Sequence, residues 1–195
     1  MLFLMILLAC GLYGGLHSWL ASPGVKQRVS TRLGSRGGRY YRLFYNIVGS
    51  ITALPLFALA RWLPDQPLYT IPFPWTLLTY GLQALGVVGL VIEVRQTGMV
   101  EFLGLDGLLP GWQPRSAQLV TGVLYRWVRH PLYTCGLLVL WLILGMTWNR
   151  LALALGLTFY ILAGIPFEER KLAREFGAEY ENYRQKTPML IPWMK

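Results

Sequence analysis

The chain has 195 residues, 54% of them hydrophobic and 14% charged, with a formal net charge of +9 at pH 7. Soluble domains carry about 25% charged residues, so this composition and a mean hydropathy of +0.42 exclude an ordinary soluble domain and point to a membrane as solvent. The length allows a single domain over residues 1–195, with about five spans at ~20 residues each.

Five hydrophobic stretches are predicted as membrane helices. The first, Leu2 to Leu20, contains His17 and a Gly11/Gly15 pair of the GxxxG type, a pattern that indicates close helix packing. No Lys or Arg occurs before Lys26. The stretch therefore lacks the basic flank of a signal peptide and is read as a retained helix. The second runs from Leu43 to Trp62 and the third from Trp75 to Val94. The fourth, Leu132 to Trp148, and the fifth, Leu151 to Phe167, are separated only by Asn149-Arg150, which predicts a tight turn and a helical hairpin. The fold class expected is all-α: a polytopic membrane protein whose last two spans form a hairpin, followed by a cytoplasmic helical tail.

Orientation follows from the basic residues. Lys26, Arg28, Arg32, Arg36, Arg39 and Arg42 precede the second stretch. Arg95, Arg115, Arg126 and Arg129 follow the third, and Arg170, Lys171, Arg174, Arg184, Lys186 and Lys195 follow the fifth. Of the 18 Lys and Arg residues only Arg61 and Arg150 fall on the other side. The N-terminus is expected outside and the C-terminus in the cytoplasm. This asymmetry accounts for the basic charge without nucleic acid as a partner and with membrane lipid as one.

Two polar segments, Arg95 to Arg129 and Glu168 to Lys195, are too long for simple connectors. In the second, Glu168, Glu169, Leu172, Phe176, Tyr180 and Tyr183 recur near helical spacing before a break at Thr187-Pro188. Cys10 and Cys135 lie in apolar stretches with no CxxC pairing, so neither a disulfide nor a metal site is predicted. The sharpest local feature is Arg129-His130-Pro131-Leu132-Tyr133. Proline disfavours helical geometry at His130 and suits the first turn of the next helix. Arg129 and His130 are thus placed at a helix N-terminus, where an anionic ligand group is favoured. An interface anchor at Arg129 and a helix cap at His130 would explain the same residues. Glu168-Glu169 reads either as a ligand-binding carboxylate pair or as helix-terminal charge.

Together these residues resemble the isoprenylcysteine carboxyl methyltransferase and phospholipid methyltransferase superfamily. The resemblance rests on Thr121-Gly122, Tyr125, Arg129-His130-Pro131 and Tyr133, then Glu168-Glu169, Leu172, Phe176-Gly177, Tyr180, Tyr183, Pro188 and Pro192 in that order. It implies an S-adenosylmethionine pocket formed by the last two spans and the tail. Tyr125, Arg129, His130 and Tyr133 would line the cofactor, Glu169 and Glu168 would hold its polar groups, and Tyr180 and Tyr183 would close over it. In the N-terminal half, His17-Ser18-Trp19-Leu20-Ala21-Ser22, Tyr40 to Asn46 and Glu101 to Leu105 resemble the NnrU-like branch, which includes bacterial methanethiol S-methyltransferases.

The reading expected from this resemblance is methyl transfer to a small thiol in a bacterial inner membrane. His17 is the first candidate on the acceptor side, since an ionisable group within a span is a functional hypothesis by default. Tyr41, Arg42 and Asn46 are the others, because a cation such as Arg42 lowers a thiol's pKa. Packing and membrane anchoring are the plain alternatives for all four. Two rival functions keep the fold: methylation of a prenylcysteine carboxylate or lipid amine, and a non-catalytic membrane protein of nitrogen-oxide metabolism.

Overall fold

The computed structural model describes residues 1–109, 112 and 118–194, with all their side chains except those of Ser35, Arg36 and Arg39. The places assigned above to the side chains of Arg36 and Arg39, and to Arg115 and Lys195, lie outside these. The order is α1 (Leu2–Ala21), α2 (Pro23–Trp62), β1 (Pro67–Thr70), α3 (Trp75–Gln96), α4 (Met99–Leu103), α5 (Pro131–Trp141), β2 (Gly145–Thr147), α6 (Trp148–Phe176) and α7 (Ala178–Lys186). The chain is mostly helical. Four segments, Leu2–Ala21, Tyr40–Trp62, Trp75–Gln96 and Trp148–Phe176, are long and apolar enough to cross a membrane. Their large side chains point outward: Leu8, Leu12, Leu54, Leu77 and Phe159 are all exposed. Such surfaces are stable only against lipid, and the protein is an integral membrane protein.

The described residues contain four such helices where about five spans were expected. α5 has 11 residues, about 16 Å at 1.5 Å per residue, short of the roughly 30 Å hydrocarbon core. The chain leaves the helix after Trp141 because the following apolar residues are drawn into extended pairing. β1 and β2 form a two-stranded sheet, and Ile71 N donates to Leu144 O at 2.8 Å. Consequently the turn predicted at Asn149-Arg150 does not form there. Both residues lie in the first turn of α6, which then continues through Pro166 to Phe176. The carboxylates of Glu168 and Glu169, expected just beyond a helix, are on its body.

Two compact units interleave along the chain. The first comprises Met1–Gln66, Gly98–Arg115 and Thr147–Tyr160; the second comprises Pro67–Thr97, Ser116–Met146 and Ile161–Lys195. In the first unit Ile6 and Cys10 of α1, Leu56 and Ala60 of α2, and Ala152 and Leu153 of α6 form a buried cluster. Asn149 is buried beside it, its Nδ2 donating to the carbonyls of Leu63 and Pro64 while its backbone N–H is taken by Asp65 Oδ1. Thr147 caps the helix start locally, its Oγ1 accepting from Arg150 N at 3.3 Å, and the remote Asp65 satisfies a second free N–H. The Gly11/Gly15 pair faces open space. Gly14, between them, is the glycine that packs, against the Tyr160 ring.

In the second unit α3 and α5 lie against each other. Gly86 and Gly89 make the approach possible: a Cβ at Gly86 would come within 2.8 Å of Val139 Cγ2, and one at Gly89 would run into Cys135 Sγ. Overpacking of this kind costs about 1–3 kcal/mol. Gly89→Val should therefore lower the thermal midpoint in detergent, whereas Gly11→Val should leave it unchanged. An equal loss in both, measured by intrinsic fluorescence melting, would contradict this packing.

Candidate functional site

Pro131 opens α5 at its first helical position and His130 is its N-cap residue, with φ −123° and ψ 63°. This puts Arg129 and His130 ahead of a helix start, as the Arg-His-Pro order predicts. Their backbone N–H groups are taken by the returning chain: Arg129 N donates to Pro188 O at 2.8 Å and His130 N to Met189 O at 3.2 Å. Thr134 Oγ1 donates to Leu190 O at 2.8 Å. Residues 188–190 therefore lie alongside the beginning of α5.

The Arg129 guanidinium completes that attachment. Its Nε and Nη2 lie 2.8 and 2.7 Å from Glu169 Oε1, and its Nη1 donates to the carbonyls of Arg184 and Thr187. Both side chains of the pair are largely buried, at 12% and 13% exposure. The fork is thus occupied by protein acceptors, and Arg129 works as a clamp on the tail. His130 is buried between the two glutamates, with Nε2 3.3 Å from Glu169 Oε1 and Nδ1 3.5 Å from Glu168 Oε2. Adjacent residues on a helix point about 100° apart, and the two opposed nitrogens of one imidazole bridge that divergence. Glu168 Oε2 is buried, with the His130 ring as its ion-pair partner and no shorter hydrogen bond.

The tyrosines gather around this network. Tyr133 stacks on His130 with centroids 5.5 Å apart. Tyr183 donates its hydroxyl to the Tyr125 carbonyl at 2.6 Å, and Tyr180 is 1% exposed with its hydroxyl unpartnered. Burial, followed by the negative charge of Glu169, pushes the Tyr180 phenol up to about 12. Burial and the charge of Glu93 raise Tyr125, and burial and neighbouring Tyr180 raise Tyr183. All three phenols remain neutral hydrogen-bond donors at physiological pH. Tyr125, Arg129, His130, Tyr133, Glu168, Glu169, Tyr180 and Tyr183 all belong to the second unit.

The first unit gathers the other predicted residues. His17 packs among Tyr13, Tyr45 and Tyr160, stacked on Tyr13 at 5.5 Å and edge-on to Tyr160 at 5.9 Å. Tyr45 hydroxyl hydrogen-bonds His17 Nε2, while Nδ1 is buried without a partner. Gly49 leaves room for the ring, since a Cβ there would approach Cε1 to 2.8 Å. Tyr41, Arg42 and Asn46 are engaged with backbone. Tyr41 hydroxyl donates to Leu20 O, Arg42 Nη1 to Glu101 O at 2.8 Å, and Asn46 Nδ2 to Phe102 O at 2.8 Å. Arg42 also stands 4.0 Å from Asp106 Oδ1. These three fasten α1 and the 101–106 segment to α2. Among the described residues there is no group of three or more His, Cys, Asp or Glu side chains able to hold a metal ion.

Sequence reasoning missed Tyr45 and Glu93. Tyr45 stood inside the Tyr40–Asn46 run, but only the folded helices reveal which member meets His17. Glu93 had a clear signal, an acid within the third hydrophobic stretch, and the rule applied to His17 applies equally to it.

Comparison with known proteins then decides the family. The phospholipid methyltransferase family matches residues 76–179, a stretch containing both Arg129-His130 and Glu168-Glu169. The chain belongs to the phospholipid methyltransferase family. Among individual family relatives, methanethiol S-methyltransferase 2 of Bradyrhizobium diazoefficiens is 35% identical over 95% of this chain and 71% of its own length. Methanethiol S-methyltransferase of Mycobacterium tuberculosis is 31% identical over 96% of this chain and 77% of its own length. Protein-S-isoprenylcysteine O-methyltransferase of Schizosaccharomyces pombe is 32% identical over 58% of this chain and 50% of its own length. No solved structure matches.

Removing one partner from a buried ion pair costs about 3–5 kcal/mol. Arg129→Ala should therefore speed amide exchange at residues 129–130 and 183–190 by at least tenfold while leaving α3 protected. Unchanged exchange in the tail would mean that the guanidinium does not hold it.

Proposed function

We propose that the protein transfers a methyl group from S-adenosylmethionine to a small thiol such as methanethiol, giving dimethyl sulfide, or to sulfide. The observation that carries this reading is that likeness to methanethiol S-methyltransferases spans 95% of the chain, including the helices that enclose His17, whereas the isoprenylcysteine relative matches 58% of it. Prenylcysteine or lipid-amine methylation and a non-catalytic role are the rivals tested below.

The second unit fits the donor. Glu168 Oε2, met only by His130 Nδ1 at 3.5 Å, and Tyr180 hydroxyl are buried polar atoms with incomplete hydrogen bonding, and an unsatisfied buried polar group costs about 1–3 kcal/mol. A ribose diol supplies donors for the carboxylate, and a neutral phenol supplies a donor for a ligand oxygen. Glu168 and Tyr180 would hold those groups, with Glu169 and Arg129 fixing His130 and the tail. Tyr125, Tyr133 and Tyr183 supply the aromatic wall. When bound, S-adenosylmethionine supplies a methyl group on a cationic sulfur with a neutral thioether as leaving group.

On the acceptor side His17 takes the thiol's proton. With Nε2–H donating to the Tyr45 oxygen, the Nδ1 lone pair is free to accept it. His17 would hold that proton while the thiolate sulfur takes the methyl group that a bound donor would supply, the neutral thioether leaving. The apolar surroundings favour this charge cancellation by keeping water from the thiolate, and alignment of the reacting atoms supplies much of the remaining acceleration. Tyr41, Arg42 and Asn46 position the helices. The N-terminus is placed outside a bacterial inner membrane and the tail in the cytoplasm, following the distribution of basic residues.

The decisive assay offers purified protein labelled S-adenosylmethionine with methanethiol, sulfide, a prenylcysteine and phosphatidylethanolamine separately. Volatile label from the small thiols alone is expected. Label in the prenyl or lipid product would replace the thiol reading, and cofactor binding without any transfer would favour the non-catalytic one. Glu169→Ala should weaken donor binding by more than tenfold in calorimetry, and wild-type affinity in the folded variant would remove Glu169 from the site. His17→Ala should lower turnover at saturating donor by more than tenfold with donor affinity retained; undiminished turnover would return His17 to packing.

A further inference from the structure

Glu93 stands apart from the Arg129 network within the second unit. It lies one turn before the end of α3, is 1% exposed, and neither carboxylate oxygen has a hydrogen-bond partner. Gln96, three residues on and therefore on the same face, also has a buried Oε1 without a partner. None of the ion pairs among the described residues involves Glu93. Its neighbours are Tyr125 and Cys135, on the segments packed against this face. Among the described residues these three inward-facing acceptor oxygens have no cation paired with them, and the Tyr125 phenol is the donor nearest to Glu93. Ionised carboxylates are not left this way in apolar surroundings unless a partner arrives, because the penalty is several kcal/mol per ion.

We propose that Glu93 and Gln96 form the subsite for the α-ammonium group of the methyl donor. This rests on S-adenosylmethionine being that donor. An ammonium carries one positive charge and three N–H donors, which matches one carboxylate and one amide oxygen in charge and in number of acceptors. The sulfonium offers charge but no hydrogen to donate, and would leave Gln96 Oε1 unsatisfied. The last turn of α3 also presents the negative end of a helix dipole, which favours a cation. The donor's amino-acid end is thereby assigned to α3 and its ribose to Glu168 of α6.

The test compares ligands that share the adenosine portion and differ at the amine. Binding of S-adenosylhomocysteine, its deaminated analogue and 5′-deoxy-5′-methylthioadenosine is measured by calorimetry on the full-length protein in detergent. Glu93→Gln, which preserves shape, should weaken S-adenosylhomocysteine at least tenfold and change the two amine-free ligands less than twofold. Exchanging the pair, Glu93→Gln with Gln96→Glu, should recover part of that loss, since the charge returns to the same face. Equal weakening of all three ligands by Glu93→Gln would mark a packing role and overturn the subsite, as would unchanged binding of all three. If the wild-type protein binds none of them, the donor reading itself fails, and the subsite with it.

Discussion

Arg129 has a rigid fork of five N–H donors, and in the second unit that fork joins three stretches of chain that are distant in sequence. It reaches Glu169 on the body of α6 and the carbonyls of Arg184 and Thr187 around the end of α7, while its own backbone is held by Pro188. A lysine in its place would present one point charge and could not span the same acceptors. With Glu169 neutralised by Arg129, His130 can be buried against it, and the imidazole in turn reaches Glu168. The order of the polar groups follows from this one pair: Glu169 is engaged by Arg129, whereas Glu168 keeps a buried oxygen met only by the His130 ring.

The apolar helices show where the chain departs from simple burial of oily residues. Large side chains face outward, and the inner contacts use small ones: Gly14 on Tyr160, Gly156 on Cys10, Gly86 on Val139 and Gly89 on Cys135. Association of helices in lipid has no hydrophobic driving force between them, so close packing through small residues has to provide it. Against that background both units keep ionisable side chains with incomplete hydrogen bonding, among them His17 in the first and Glu93, Glu168 and Tyr180 in the second. His17 and Glu93 differ in kind. His17 has Tyr45 on one nitrogen and a buried second nitrogen without a hydrogen bond, the arrangement on which the proposed proton transfer rests. Glu93 has two buried oxygens without a cation, beside Gln96 and the Tyr125 phenol, the arrangement on which the proposed ammonium subsite rests.

Much of this was legible in the amino-acid sequence. The excess of apolar residues, the runs of about twenty residues and the basic clusters determined a helical membrane protein, because lipid leaves backbone polar groups no partners except within a helix or a closed barrel. The Arg-His-Pro order determined a helix start at Pro131, since proline constrains both itself and the residue before it. What depended on distant pairing was not legible. Residues 142–146 are as apolar as the helix before them, and only β1, some seventy residues earlier, draws the chain into extended form there. The α6 start is capped by Thr147 and, across more than eighty residues, by Asp65, and the remote half of that cap could not be read locally at Asn149-Arg150. Gly11 and Gly15 carried the packing signature while Gly14 did the packing, because a spacing rule names a helix face without naming its partner. Arg129 could equally have met a ligand, lipid or protein; tertiary structure decided, by surrounding it with the acceptors that a fixed guanidinium geometry requires.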